Sequence, residues 1–125
     1  MRIYKEFFFE AAHLLPSAPV GHPNARVHGH SFRVRVSIDG APNPETGLVV
    51  HFEDVEKAIQ DAREALDHRF LNDIEGLELP TLERITMWLW DRLHNRLPGL
   101  SEVAVSRDSC QEGCIYHGPH PMAAE

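Results

Sequence analysis

An α+β fold built on an antiparallel sheet is the architecture that this chain of 125 residues predicts. Three observations lead there. The stretch "HSFRVRVSIDG" alternates apolar and polar residues with period two, the mark of a strand with one face in a core. Two stretches of helical period stand next to each other in the sequence rather than alternating with strands. Hydrophobic residues make up 42% of the chain, enough for a core in a domain of ordinary length.

Taken in order, "IYKEFFFEA" is an apolar and aromatic first strand that runs into "EAAH". "LPSAPVGHPNA" is rich in proline and small residues and is expected to be a loop. In "HSFRVRVSIDG", Phe32, Val34, Val36 and Ile38 share one face, and Arg33, Arg35 and Ser37 share the other. "GAPNPETG" follows as a turn, and "LVVHF" is expected to be a short strand antiparallel to the one before it. "EDVEKAIQDAREAL" changes period: Val55, Ala58, Ile59, Ala62 and Leu66 form a stripe, and its first turn is acidic, as a helix N-terminus favours. "DHRFLNDIEGLELP" is irregular. A second helix begins after Pro80, with Thr81 as N-cap and Leu82, Ile85, Leu89 and Leu93 as its core stripe, and Pro98-Gly99 is expected to end it. "SEVAVSRDS" is a further strand and "CIYHG" a short last one. Residues 1–118 are expected to form a single domain and 119–125 a tail.

The formal net charge is -7, which argues against binding nucleic acid but leaves room for a small anionic substrate held by a few local cations. No signal peptide and no membrane span are read, and two cysteines, Cys110 and Cys114, make no disulfide framework. A cytoplasmic protein without a membrane partner is the expectation.

The chain has nine histidines. In "RVHGHSFRV", His28 and His30 lie two apart at the start of a strand, so their side chains share a face, and Gly29 between them leaves space on the other. His13, at the end of the first strand, is the natural third member. Three histidines without a fourth protein ligand are the pattern of a catalytic zinc site with one open position. A His-x-His pair also arises as polar residues at a strand end, and spacing alone does not separate the two. In "LDHRF", Asp67 stands beside His68. A carboxylate there can orient an imidazole as a proton carrier, or the pair can simply close a helix and begin a loop. His22 lies in the loop between His13 and His28 and is held in reserve.

Together, "FEAAH", "RVHGHSFRV", "LDHRFLND", "PTLERITMWLW" and "GCIYHG" resemble the 6-pyruvoyltetrahydropterin synthase / 6-carboxytetrahydropterin synthase family, in order and over nearly the whole chain. The bacterial 6-carboxytetrahydropterin synthases of the queuosine pathway look closest. The resemblance implies a tunnelling fold (T-fold): a four-stranded antiparallel sheet with two helices on one face, assembled as trimers that pair into homo-hexamers. It implies a zinc-dependent lyase acting on 7,8-dihydroneopterin triphosphate. Zn2+ would be held by His13, His28 and His30, and the family's Asp-His pair maps onto Asp67 and His68. Asp108 in "RDSC" maps onto the acidic residue that anchors the pterin ring.

The sequence also departs from the family. The usual cysteine four residues before the His-x-His pair, which acts as base, is replaced by Asn24, and an amide is no base near neutral pH. Some members use a glutamate near that place and cleave the side chain; no Glu or Cys lies between Pro19 and Val27. Asn24 is expected to face the open zinc position and the substrate side chain. Another base would then serve (zinc-bound hydroxide, His68 or His22), or the chain takes a related step as an aldolase, or it binds a pterin without turning it over. The anchor differs as well: Asp108-Ser109 stands where the family usually has Glu-Thr, and His51 stands where an Asp usually precedes the first helix.

Overall fold

The computed structural model describes residues 1–119. Of the expected C-terminal tail, 119–125, only the first residue falls within that range; the remainder lies outside the described residues. The elements are β1 (Arg2–His13), β2 (His28–Asp39), α1 (Phe52–Leu66), β3 (Arg69–Phe70), α2 (Leu82–Leu93), β4 (Leu100–Arg107) and β5 (Glu112–Tyr116). They form one sheet in the order β3-β1-β2-β4-β5. β1 and β2 pair antiparallel without a break from Arg2↔Asp39 to His13↔His28. β4 adds antiparallel to β2 and β5 antiparallel to β4.

The period-two expectation for β2 holds in detail. Phe32, Val34, Val36 and Ile38 are buried against both helices, with Phe9 and Ala11 of β1 and Val103 and Val105 of β4 beside them. The expected helix stripes complete this layer: Val55, Ala58, Ile59, Ala62 and Leu66 from α1, and Leu82, Ile85, Leu89 and Leu93 from α2. The Thr81 side chain accepts the Arg84 backbone N–H at 3.2 Å and caps α2 as read from the sequence, a contact that typically contributes about 1 kcal/mol. Among the described residues, the opposite sheet face carries neither α1 nor α2. It displays exposed Tyr4 and Phe8 and a charged row of Glu6, Arg33 and Arg35.

Three expectations change. "LVVHF" forms no strand, and Phe52 already opens α1. Both edges of β2 are taken, by β1 and β4, so the segment has no ladder to join. Instead Asn43 organises a turn, its side chain accepting the N–H groups of Glu45 and Thr46, while Val49 and Val50 pack on the core. The sheet has five strands rather than four. The extra one lies in the irregular segment: Arg69 and Phe70 pair parallel with Ala11 and Ala12. Finally, α2 stops at Leu93, before Pro98-Gly99. Leu97 folds back into the core through backbone N–H bonds from Arg96 and Leu97 to the Leu93 carbonyl. Gly99 then turns the chain into β4 at φ +87°, where a Cβ would lie 2.6 Å from the Asp39 carbonyl oxygen. Among the described residues, no helix is long and apolar enough to cross a membrane.

Candidate functional site

The register of the β1–β2 ladder assembles the histidines. His13 lies directly across from His28, and Ala11 across from His30, so all three imidazoles project from the helix-covered face at one end of the sheet. Their ring centroids are 4.5, 4.9 and 5.1 Å apart. One nitrogen from each lies within 4.8 Å of the others. Phe32, edge-on to His13 and His30 at 5.9 and 5.6 Å, gives the cluster an apolar floor.

Hydrogen bonding decides which nitrogen each ring offers. His13 Nδ1 is 2.9 Å from the Pro80 carbonyl and His28 Nδ1 is 2.7 Å from that of Arg26. A carbonyl only accepts, so both Nδ1 atoms carry the proton and both Nε2 atoms keep a bare lone pair. The Nε2 atoms of His13 and His30 are buried and have no hydrogen-bond partner among the described residues. A buried polar atom left this way is costly unless something occupies it. Backbone carbonyls that hold the far nitrogen are what a metal-ligating histidine needs from its surroundings. The donor set therefore fits a metal ion, with His13, His28 and His30 as its ligands. Burial pushes the His13 imidazole down to about 4, with the neighbouring histidines and Arg107 adding to the effect against the Pro80 hydrogen bond. His30 is lowered too, by burial first and then by the Arg107 charge. Both rings are thus neutral, the form that binds metal.

Asp67 and His68 close α1 and open β3. The Asp67 carboxylate accepts the Glu10 backbone N–H at 2.9 Å and His68 Nδ1 at 3.0 Å, with Arg63 at 3.3 Å. His68 adopts the left-handed conformation, φ 59°, and donates its own N–H to the Glu10 carbonyl at 2.6 Å. Glu10 of β1 thereby clamps both residues, and the parallel pairing of β3 follows on from the clamp. The His68 ring is 78% exposed, so its Nε2 is free to meet a ligand.

The Glu10 N–H, followed by the hydrogen bond from His68 and the Arg63 charge, holds the Asp67 carboxyl below its ordinary value of 3.8. A carboxyl whose folded value is depressed adds stability that is fully present above the unfolded value and is lost as pH falls through the folded one. Asp67→Asn is therefore expected to be less stable than the wild type near neutral pH, and the gap should close on acidification below 3.8. Urea unfolding over a pH series measures this; a gap independent of pH would remove the contribution assigned to Asp67.

Two clefts border the histidines. One, of about 550 Å³, lies on the helix-free face, where Glu10, Ala12, Gly29 and Ser31 line it beside His68, with His30, whose ring projects to the other face, at its border. The other, of about 490 Å³, is bordered by Pro23, Asn24, Arg26, His28 and His30. Asn24 thus stands in the cleft beside two members of the triad. The loop that carries it is stapled at its start by Asn72, which exchanges two hydrogen bonds with Leu14 at 3.0 and 2.9 Å. His22 Nδ1 accepts the Asn24 N–H at 3.0 Å, so the neutral ring carries its proton on Nε2. Asp108 borders neither cleft. It stands at the end of β4 on the helix-free side, held by Arg33. His51 precedes α1 without a capping side-chain bond, and Cys110 and Cys114 are free thiols apart from the triad. The carbonyl of Pro80, the Asn72 staple and the Arg33–Asp108 pair were not visible in the sequence, because each joins residues 58 to 75 positions apart.

The family model described as "6-pyruvoyl tetrahydropterin synthase" matches residues 2–119. The chain belongs to this family. Among the synthase family's curated members it is 43% identical over 126 aligned positions to a 6-carboxy-5,6,7,8-tetrahydropterin synthase of Synechocystis, covering 94% of this chain and 93% of that protein. It is 33% identical to a dihydroneopterin monophosphate aldolase of Pyrococcus furiosus, with 90% of each chain covered. The solved 6-pyruvoyl tetrahydropterin synthase of Caenorhabditis elegans superposes with a TM-score of 0.85 over 95% of this chain and 96% of its own, at 21% identity. That likeness confirms the α+β tunnelling fold of the synthase family.

Proposed function

We propose that the chain is a zinc-dependent lyase that converts 7,8-dihydroneopterin triphosphate to 6-carboxytetrahydropterin. The observation that carries this reading is the histidine triad, in which one nitrogen of each ring lies within 4.8 Å of the others and the buried Nε2 atoms of His13 and His30 find no partner among the described residues. The family resemblance implies that Asp67 and His68 reach such a centre across a subunit interface, and the 78% exposure of the His68 side chain suits a group that serves a neighbouring subunit. The Synechocystis relative, matched over nearly its full length, supports the carboxy product.

His13, His28 and His30 would hold the ion through their Nε2 atoms. Zinc bound there supplies Lewis acidity for an oxygen of the substrate side chain. His68 takes the proton from the side-chain carbon at Nε2, while Asp67 keeps the other ring nitrogen protonated and the ring aimed. His22 is unsuited to that role, because its accepting nitrogen is already used by the Asn24 N–H. The Asn24 amide orients a side-chain hydroxyl by hydrogen bonding without taking its proton. Asp108 accepts from the amino and ring N–H groups of the pterin. The edges left by β5 and most of β1 support assembly through strand pairing into trimers and hexamers, since unpaired edges are a liability.

Asn24 also favours a second reading, a diverged member that binds pterin without turnover or that cleaves the side chain. Incubating the zinc-loaded protein with 7,8-dihydroneopterin triphosphate and resolving products by mass separates them. A 6-carboxytetrahydropterin product is expected, with water consumed, triphosphate released and the other two side-chain carbons leaving as acetaldehyde. A 6-hydroxymethyl product would make the chain an aldolase, and unchanged substrate with zinc bound would leave a binding protein.

A further inference from the structure

The Asp108 carboxylate does not stand alone. Arg33 Nε lies 3.3 and 3.1 Å from its two oxygens and Arg33 Nη2 lies 3.2 Å from Oδ1. Arg33 Nη1 donates to Glu6 Oε2 at 2.7 Å, and Arg35 Nε donates to the same oxygen at 3.2 Å. A guanidinium has one hydrogen on Nε and a pair on each Nη. These contacts leave one hydrogen on Nη1 and one on Nη2 without a partner among the described residues. Asp108 in turn keeps lone pairs that the guanidinium does not reach. The pair thus offers acceptors and donors side by side in one rigid unit, anchored from β1 by Glu6. Beside Arg33 a cleft of about 340 Å³ opens over Ala104, Ser106 and Gly113, small residues that give it a flat floor.

A heterocycle edge with an amino group, a ring N–H and a carbonyl in sequence is the complement of this unit. The carboxylate accepts from the two N–H groups, and the guanidinium donates to the carbonyl oxygen. We propose that Arg33 is a specificity-determining residue that reads the C4 carbonyl of the pterin next to the ring-binding Asp108. This deepens the function proposed above and rests on it. Arg33 acts on ligand choice, and its side chain projects from the sheet face opposite His30 and Phe32, so its replacement leaves the histidine triad intact.

The test is fluorescence titration of the zinc-loaded full chain with 6-methylpterin and with its 4-thioxo analogue. The analogue keeps the amino group and ring N–H but replaces the acceptor oxygen with a weakly accepting sulfur. The wild type is expected to bind the oxo ligand at least about tenfold more tightly, the size of one charge-assisted hydrogen bond. Arg33→Leu should bring the two ligands within about twofold of each other, with zinc content unchanged as the check on folding. Arg33→Lys should restore part of the preference. Asp108→Asn should weaken both ligands alike and keep the preference. An undiminished preference in Arg33→Leu, or equal binding of the two ligands by the wild type, would overturn the role of Arg33 alone. A zinc-loaded wild type that binds neither ligand would overturn the pterin reading itself, and this inference with it.

Discussion

His13→Ala is expected to empty the metal centre and to cut turnover by about 10³ or more, since several kcal/mol of charge stabilisation depend on the ion and each 1.36 kcal/mol is about tenfold. His13 is the fully buried member of the cluster, and its Nε2 has no partner among the described residues. Removing it deletes one of three ligands and the ring that the Pro80 carbonyl holds in place. Because a buried residue is lost, His28→Ala is the companion variant: its ring is only partly buried, so the metal can be lost without a large cavity. Zinc analysis after gel filtration should fall from one ion per chain towards none in both variants. Added zinc should raise the melting temperature of the wild type and leave both variants unmoved, as expected when a ligand stabilises only the folded state that binds it. Stoichiometric zinc retained after all three histidines are changed to alanine would refute the assignment.

The second large effect is on proton transfer. His68→Ala is expected to lower kcat by about 10²–10⁴ without loss of zinc, the usual contribution of a positioned general acid or base. The ring is exposed apart from its Nδ1 contact with Asp67, so stability should change little. With His68 as the proposed carrier, Asn24→Cys is expected to do little, and His22→Gln should also leave turnover nearly intact. A thiol beside bound zinc would have a lowered pKa. A large gain from Asn24→Cys, with His68→Ala retaining activity, would therefore mean that the chain lacks a working base and that His68 is not one.

Much of this could be read from local pattern. Side-chain alternation is a property of the strand itself, so the core face of β2 was legible from Phe32 to Ile38. The stripes of α1 and α2 were legible for the same reason, as was the Thr81 cap. "LVVHF" misled because its β-branched residues suit a strand, yet a strand needs a free ladder edge, which no local pattern reports. The reverse error came at Arg69–Phe70: too short and polar to be noticed, it became a strand because Glu10 clamps Asp67 and His68 against β1.

The candidate site divides along the same line. The sequence alone determined its chemistry: three imidazoles at strand ends, an adjacent carboxylate and imidazole, an amide at position 24 and a carboxylate at position 108. The tertiary structure decided what those groups can do. The β1–β2 register sets His13 opposite His28, and distant carbonyls leave their Nε2 lone pairs bare. Hydrogen bonds to Glu10 and parallel pairing at Ala11 and Ala12 fix Asp67 and His68 beside β1, with the His68 ring exposed. Arg33 turns Asp108 from a lone acceptor into one half of a paired unit. A residue's identity carries its donors, acceptors and charge, but which of them remain free depends on partners that only folding brings within about 3 Å.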